Sequence, residues 1–178
     1  VTPGTPELHT HLLTLEPLTA DHASEMVGVL AEGSLYEFTG GGPPTMAELQ
    51  ERYAFQAAGS PRDNEVWHNW VLRETESGAA VGYVQATVQG ASADVAWLVG
   101  VQSQGRGLAK EAAGAMVAWL RSEGVRTIEA HIHPDHAASA GVAAALGLRS
   151  TGEMDDEGEI IWSDPGAASH DVSIGGRK

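Results

Sequence analysis

The stretch "QGRGLA", Gln104 to Ala109, lies between an apolar run ending at Val101 and a segment of helical periodicity. Backbone N–H groups that open a helix have no partners inside it, and the helix dipole makes that end partly positive. Such a turn suits an anion, above all a phosphate. A nucleotide-hydrolase phosphate loop requires G-x-x-x-x-G-K-[ST], but Lys110 is followed by Glu111, so no hydroxyl is placed for magnesium. A dinucleotide fingerprint G-x-G-x-x-G would put Lys110 where a small residue must let helix and strand pack. Both readings fail, which leaves a cradle for some other phosphate.

A second group of reactive side chains is "HIHPDH", His131 to His136, which spells the H-x-H-x-D-H zinc signature of the metallo-β-lactamase fold. Imidazole is a good zinc ligand, and His131 and His133, two apart on an extended strand, point the same way. In that fold a long downstream half completes the site, whereas His170 is the sole later histidine here. The expectation is therefore no metal, with a zinc hydrolase as the minor alternative. Asp94, in "ADVAWLV", alternates onto one strand face with Ala96 and Leu98 and is the first candidate for a proton acceptor. Glu37, in a glycine loop, and Glu159, near the end, are its rivals, and the Ser139 hydroxyl is a candidate proton donor.

The chain that must position these groups has 178 residues, enough for one domain and its core. It has no cysteine, so thiolate metal sites and cysteine nucleophiles are excluded. Its 24 acids against 10 bases give a net charge of −14, which repels nucleic acid and draws a small cation. Apolar runs are too short for a membrane span, and the opening residues lack a secretion signal's basic start and apolar core. The cytoplasm is the expected compartment.

"LLTLEPLT" reads as a first strand, and Thr19 caps a helix carrying Ala23, Met26, Val27 and Leu30 at helical spacing. "LYEFTGGGPP" is a loop, and Thr45 with Glu48 forms a capping box for a second helix. "VWHNWVLRE", "AVGYVQATVQ" and "ADVAWLVGV" are separated by short turns and predict an antiparallel meander. From Gly105, apolar Leu108, Ala112, Ala115, Met116, Trp119 and Leu120 recur helically to a stop at Gly124. A strand "RTIEAHI", a helix ending at Gly147 and a closing strand pair across "DDEG" follow; the tail from Pro165 is expected to be loosely held. The order is β-α-α-β-β-β-α-β-α-β-β in a single α+β unit.

The glycine turn also fits Q/R-x-x-G-x-G/A, and with it the sequence resembles the GNAT superfamily of acetyl-CoA-dependent N-acetyltransferases. Downstream, His136 to Leu148 is similar to that family's N-x-x-[AS]-x-x-x-Y-x-x-x-G-F helix, with Ser139, Leu146, Gly147 and Leu148 on pattern. The resemblance covers roughly Leu12 to Trp162. Through "LTLEPLTADHA" and "HPDHAAS" it looks most like the branch of ribosomal-protein N-terminal acetyltransferases and related small-molecule enzymes. It implies a GNAT fold: a mixed, mostly antiparallel central sheet flanked by about four helices, with the family's fourth and fifth strands splayed at the cofactor. It further implies that the diphosphate of acetyl-CoA, the acyl donor, sits on the amides of Gln104, Gly105, Arg106, Gly107, Leu108 and Ala109. Leu98, Val99 and Val101 would follow the pantetheine arm, His136 and Ser139 would meet the cofactor from the last helix, and Arg106 and Lys110 would add charge at its phosphates.

In that reaction a neutral amine attacks the thioester. Freeing the lone pair of a lysine-like amine, pKa near 10.4, costs about 4.6 kcal/mol at pH 7, so a proton acceptor is required. The resemblance strengthens Asp94 for that role, since many relatives carry a glutamate on this strand. The family's usual acid, a tyrosine, is replaced by Ala143, which leaves Ser139 as donor and a non-catalytic acyl-CoA sensor as an alternative. The acceptor is a small cationic amine such as an antibiotic or polyamine, or a protein N-terminus, and net acidity and the tryptophans lean to the former. Trp119 reads as core, at most one of Trp67 and Trp70 faces the acceptor, and Trp162 faces substrate or a second copy in a homodimer.

Overall fold

A computed structural model of the chain describes residues 4–164. The tail from Pro165 lies outside the described residues. Eight strands form one sheet: β1 (Leu8–His9), β2 (Leu13–Pro17), β3 (Val66–Glu74), β4 (Ala80–Gln89), β5 (Ser92–Val99), β6 (Thr127–Ile132), β7 (Arg149–Met154) and β8 (Ile160–Ser163). The order across the sheet is β1-β2-β3-β4-β5-β6-β8-β7. Neighbours are antiparallel except β5 and β6, whose parallel pairing requires a crossover; helix α3 (Leu108–Ser122) supplies it. The other helices are α1 (Ala23–Val29), α2 (Met46–Ala58) and α4 (Ala137–Ala145). The meander is as the turn spacing predicts; β1, too short to show alternation, is not legible in the sequence.

Alternation along β3 sends Trp70 and Leu72 into one core and Val71 into another. On the first side α3 buries Leu108, Ala112, Ala113, Met116 and Leu120, and Ala143 of α4 joins the same cluster. Trp70 is fully buried there, donates its indole N–H to the Pro6 carbonyl at 2.7 Å and meets Trp119 edge-on. On the opposite side α1 and α2 cover the sheet with Met26, Leu30, Leu49 and Tyr53. Helix α2 opens with the expected capping box, in which the Thr45 N–H donates to Glu48 at 2.8 Å and the Glu48 N–H donates to Thr45 at 3.3 Å. Thr19 opens instead a short 3₁₀ turn, Ala20–His22, where the His22 ring accepts the Thr19 N–H at 3.0 Å before α1 begins.

One buried carboxylate ties the α2–β3 loop to the sheet. Glu65 accepts from Ser60 (2.7 Å), Trp67 (2.8 Å), Gln89 (2.8 Å) and Arg62 (3.0 Å). These donors, Ser60 and Gln89 foremost, hold its carboxyl down at about 2.

Candidate active site

β5 and β6 stay together for only three residue pairs, Ser92–Thr127, Ala93–Ile128 and Asp94–Glu129, and then part. Beyond Asp94 one edge of β5 is left without a strand partner. The Gly100 N–H donates to the Val81 carbonyl at 2.9 Å, which fixes the phase of the β4–β5 ladder. Leu98 therefore bonds Tyr83 of β4 through its backbone, and a Cβ placed on Gly82 would sit 2.1 Å from the Leu98 carbonyl oxygen. The peptide groups of Trp97 and Val99 alternate to the other edge and face the gap. The structure thus keeps Val99 in the expected place along the gap and commits the Leu98 backbone to the sheet. Trp97 supplies the other outward-facing peptide. Ladder phase is the signal that identifies it, and alternation alone does not carry it. The Gln104 side-chain amide donates to the Val99 carbonyl at 3.0 Å, anchoring the turn to the strand end.

Val101 to Ser103 form a 3₁₀ turn, and the Gln104 N–H is used up on the Val101 carbonyl at 3.3 Å. The amide cradle therefore starts one residue later than the motif suggests, at Gly105. Gly105 (φ 75°) and Gly107 (φ 78°) are both left-handed, which keeps the helix from starting before Leu108, and among the described residues the N–H groups of Gly105, Arg106 and Gly107 meet no backbone acceptor. Ala109 and Lys110 are in the first helical turn, where N–H groups have no intrahelical partner. The Arg106 guanidinium pairs with Glu74 on β3, so its side chain is held beside the cradle by a competing carboxylate. Glu111 accepts the Leu12 N–H at 2.7 Å and fixes the start of α3 against β2.

On the α2 side of the sheet, where β5 and β6 part, Asp94 stands beside His131. Asp94 Oδ1 is 4.0 Å from His131 Nε2, and His131 Nδ1 is 2.7 Å from Asp155 Oδ2. Asp155 is itself fixed, accepting the Glu157 and Glu159 N–H groups at 2.9 Å each. A carboxylate only accepts, so Nδ1 of the neutral ring carries the proton and Nε2 is left open toward Asp94. Partial desolvation, opposed by His131, holds the Asp94 carboxyl above its ordinary value. The Asp155 carboxyl lies below its own, chiefly through the Glu159 N–H and then His131; desolvation and Asp155 push Glu159 up. Two sequence candidates, Asp94 and Glu159, are thus brought together around His131, which sequence reasoning valued only as a zinc ligand. Glu37 is exposed in its loop and is not part of this group.

The "HIHPDH" motif comes apart. β6 ends at Ile132, and His133 and His136 flank Phe38, at ring-centroid distances of 5.3 and 4.6 Å, instead of joining His131. Among the described residues, no group of three metal-ligating side chains includes His133 or His136.

Residues 13–149 match the family model described as an acetyltransferase (GNAT) domain. The chain belongs to the GNAT acetyltransferases. No curated protein matches the sequence. Solved structures share the fold at low identity. An acetyltransferase (GNAT family) from Bacillus anthracis is 13% identical over 89% of this chain and 96% of that one, with a TM-score of 0.75. A protein from Vibrio cholerae, provisionally named a ribosomal-protein-serine acetyltransferase, is 18% identical over 92% of this chain and 98% of its own, with a TM-score of 0.73. An aminoglycoside acetyltransferase in complex with coenzyme A is 19% identical over 85% of this chain and 94% of its own, with a TM-score of 0.70. The present chain is an N-acetyltransferase whose acyl donor is acetyl-CoA.

The acetyltransferase's own residues fit that donor. The amides from Gly105 to Ala109 suit a diphosphate, and the Trp97 peptide together with the Val99 N–H, whose own carbonyl already accepts from Gln104, suits the amides of a pantetheine arm. Across the gap His136 caps α4, its Nδ1 accepting the Ser139 N–H at 3.5 Å, and burial lowers its basicity. Ser139 is half-buried in the first turn of α4, whereas Ala143, one turn on, is fully buried in the core. No phenol could stand at that position without displacing the packing.

Beneath α2 lies a cavity of about 240 Å³, lined among others by Leu18, Arg52, Tyr53, Gln56, Asn69, Tyr83 and Gln85. Asn69, Gln85 and Ala96 are paired in register across β3, β4 and β5, so the cavity is one step along the sheet from Asp94. The Tyr53 hydroxyl is buried without a hydrogen-bond partner, and burial pushes its titration upward. Of the tryptophans, only Trp67 stands on this side, edge-on to Phe55; Trp97 and Trp162 pack against the main core.

No helix among the described residues is long and apolar enough to cross a membrane.

Proposed function

We propose that the chain transfers acetyl directly from acetyl-CoA to the primary amine of a small molecule, acting in the cytoplasm as one GNAT domain. One observation carries this reading: the free edge of β5 starts beside Asp94 and His131, on the face of the sheet that also holds a cavity of about 240 Å³ beneath α2. A cavity of that size suits a compact acceptor better than a protein chain. Bound acetyl-CoA supplies an activated acetyl carbonyl and a thiolate leaving group. The diphosphate rests on Gly105 to Ala109, and the pantetheine follows Trp97 and Val99.

The acceptor arrives as an ammonium ion and is drawn by Asp94. A carboxyl held above its ordinary value is a better proton acceptor than a free aspartate, and His131 stands 4.0 Å behind it. Asp94 takes the ammonium proton and passes it to the open Nε2 of His131, and Asp155 orients the ring and stabilises the imidazolium so formed. The freed lone pair forms the C–N bond, the C–S bond breaks with its electron pair going to sulfur, and the proton the nitrogen then sheds ends on that sulfur, toward which Ser139 donates a hydrogen bond. Ala143 in the tyrosine position favours one rival reading, an acyl-CoA sensor that catalyses nothing. Mixing the protein with acetyl-CoA and a panel of amines decides between them by thiol release. Turnover slowed by Asp94→Asn and Ser139→Ala supports the transferase, whereas tight CoA binding without turnover supports the sensor.

A further inference from the structure

Six polar side chains converge on the cavity beneath α2, and all of them can donate a hydrogen bond: Arg52, Tyr53, Gln56, Asn69, Tyr83 and Gln85. None is acidic. Among the described residues none of these six side chains makes a hydrogen bond to another protein group, and no carboxylate lies within 4.0 Å of Arg52. Arg62, Arg73, Arg106 and Arg121 are ion-paired in this acid-rich chain, whereas among the described residues Arg52, like Arg126 and Arg149, is not, and of these three only Arg52 lines the cavity. Tyr53 is 3% exposed, so its orphaned hydroxyl forgoes a bond that water would have supplied. Arg52 lies over its ring, 5.9 Å from the centroid. Acids gather instead at the other end, around Asp94 and His131.

We propose that the acceptor is a small amino-acid-like zwitterion, with its reacting amine at Asp94 and a carboxylate bound by Arg52 and the surrounding donors. This inference rests on the transferase reading and names its substrate class. The two ends of the site are separated by roughly two strand spacings, about 10 Å, which suits an ω-amino acid or short peptide. A polyamine or a polycationic antibiotic would place a second ammonium against a guanidinium, with only neutral amide and hydroxyl oxygens and no carboxylate in the lining to meet it. The chain's negative charge therefore draws the amine end, and Arg52 selects what the other end carries.

The test uses three acceptors of matched length: δ-aminovalerate, its carboxamide δ-aminovaleramide, and the diamine cadaverine. The wild-type protein should favour δ-aminovalerate over both in kcat/KM by about 10- to 100-fold, the range of a charge-assisted pair. Arg52→Gln should erase that preference, mainly through KM, with CoA affinity unchanged. Tyr53→Phe removes only the unpartnered hydroxyl, keeps the fold, and should raise KM for δ-aminovalerate several-fold. Preference for cadaverine, or an acid-to-amide ratio unaltered by Arg52→Gln, overturns the proposal. If no amine is acetylated, the transferase reading fails on its own, and calorimetry of δ-aminovalerate on CoA-loaded protein decides the cavity's role. Binding lost in Arg52→Gln upholds the proposal, and equal or absent binding refutes it.

Discussion

Replacing Gly107 by alanine separates the anion cradle from ordinary backbone strain. Gly107 has φ 78°, and Gly124, at the far end of α3, has φ 94°; a Cβ built on either meets nothing within 4 Å. Both substitutions therefore carry the same steric cost of a side chain in a left-handed conformation, about 1–2 kcal/mol. Reduced freedom of the unfolded chain returns about 0.4–1 kcal/mol. For a chain of this size, a net loss near 1 kcal/mol lowers Tm by about 2–4 °C, and the two variants should agree. Only Gly107 stands where a diphosphate must approach free amides. A methyl group there should cost one charge-assisted hydrogen bond, about 1.5–3 kcal/mol, which raises Kd for CoA about 10- to 150-fold. Isothermal titration with CoA and thermal melts on both variants give the answer. If Gly107→Ala and Gly124→Ala bind CoA within about threefold of each other, the cradle assignment is wrong.

Asp94→Asn should slow acetyl transfer and raise Tm. The folded carboxyl sits above its unfolded value, so the unfolded chain releases that proton first as pH rises, and the charged group costs stability at neutral pH. Glu65 has the opposite sign: its carboxyl is depressed from 4.5 to about 2, so its stabilisation is present above 4.5 and is lost as pH falls toward 2. Glu65→Gln should lower Tm at neutral pH and flatten the acid side of a Tm-against-pH curve, and an unchanged curve would refute its role as a clamp. His131→Gln should lower kcat/KM with CoA affinity intact, because the ring stands beside Asp94. Asp155→Asn should lower it by less, since it removes only the group that orients the ring, and rates matching the wild type in both variants would exclude the ring from proton removal. Arg106→Ala should weaken CoA less than Gly107→Ala does, because Glu74 already holds the guanidinium.

Element order and the glycine turn before α3 were legible because both depend on local chemistry. Glycine conformation, capping residues and strand alternation are written in neighbouring positions, and the Thr45–Glu48 box and the α3 stripe stand as spacing predicts. The proton-handling group was half legible. Alternation placed Asp94 on the right face, but its meeting with His131 and Asp155 depends on β5 pairing with β6 and on β8 folding back beside β6. No local pattern encodes that contact. The same limit explains Leu98 and Trp97: the choice of which peptide faces the gap is made by the β4–β5 register, 15 residues apart at the Tyr83–Leu98 pair. The zinc signature at "HIHPDH", kept in the sequence reading only as the minor alternative, assumes extended geometry, and β6 ends at Ile132, before His133.

The account stands most directly on a single-turnover experiment with acetyl-labelled CoA and an amine acceptor. It predicts that label leaves the donor and appears in the amine at the same rate as free thiol forms, with none held on the protein. Label that stays on tightly bound acetyl-CoA, or that accumulates on the chain, would contradict direct transfer.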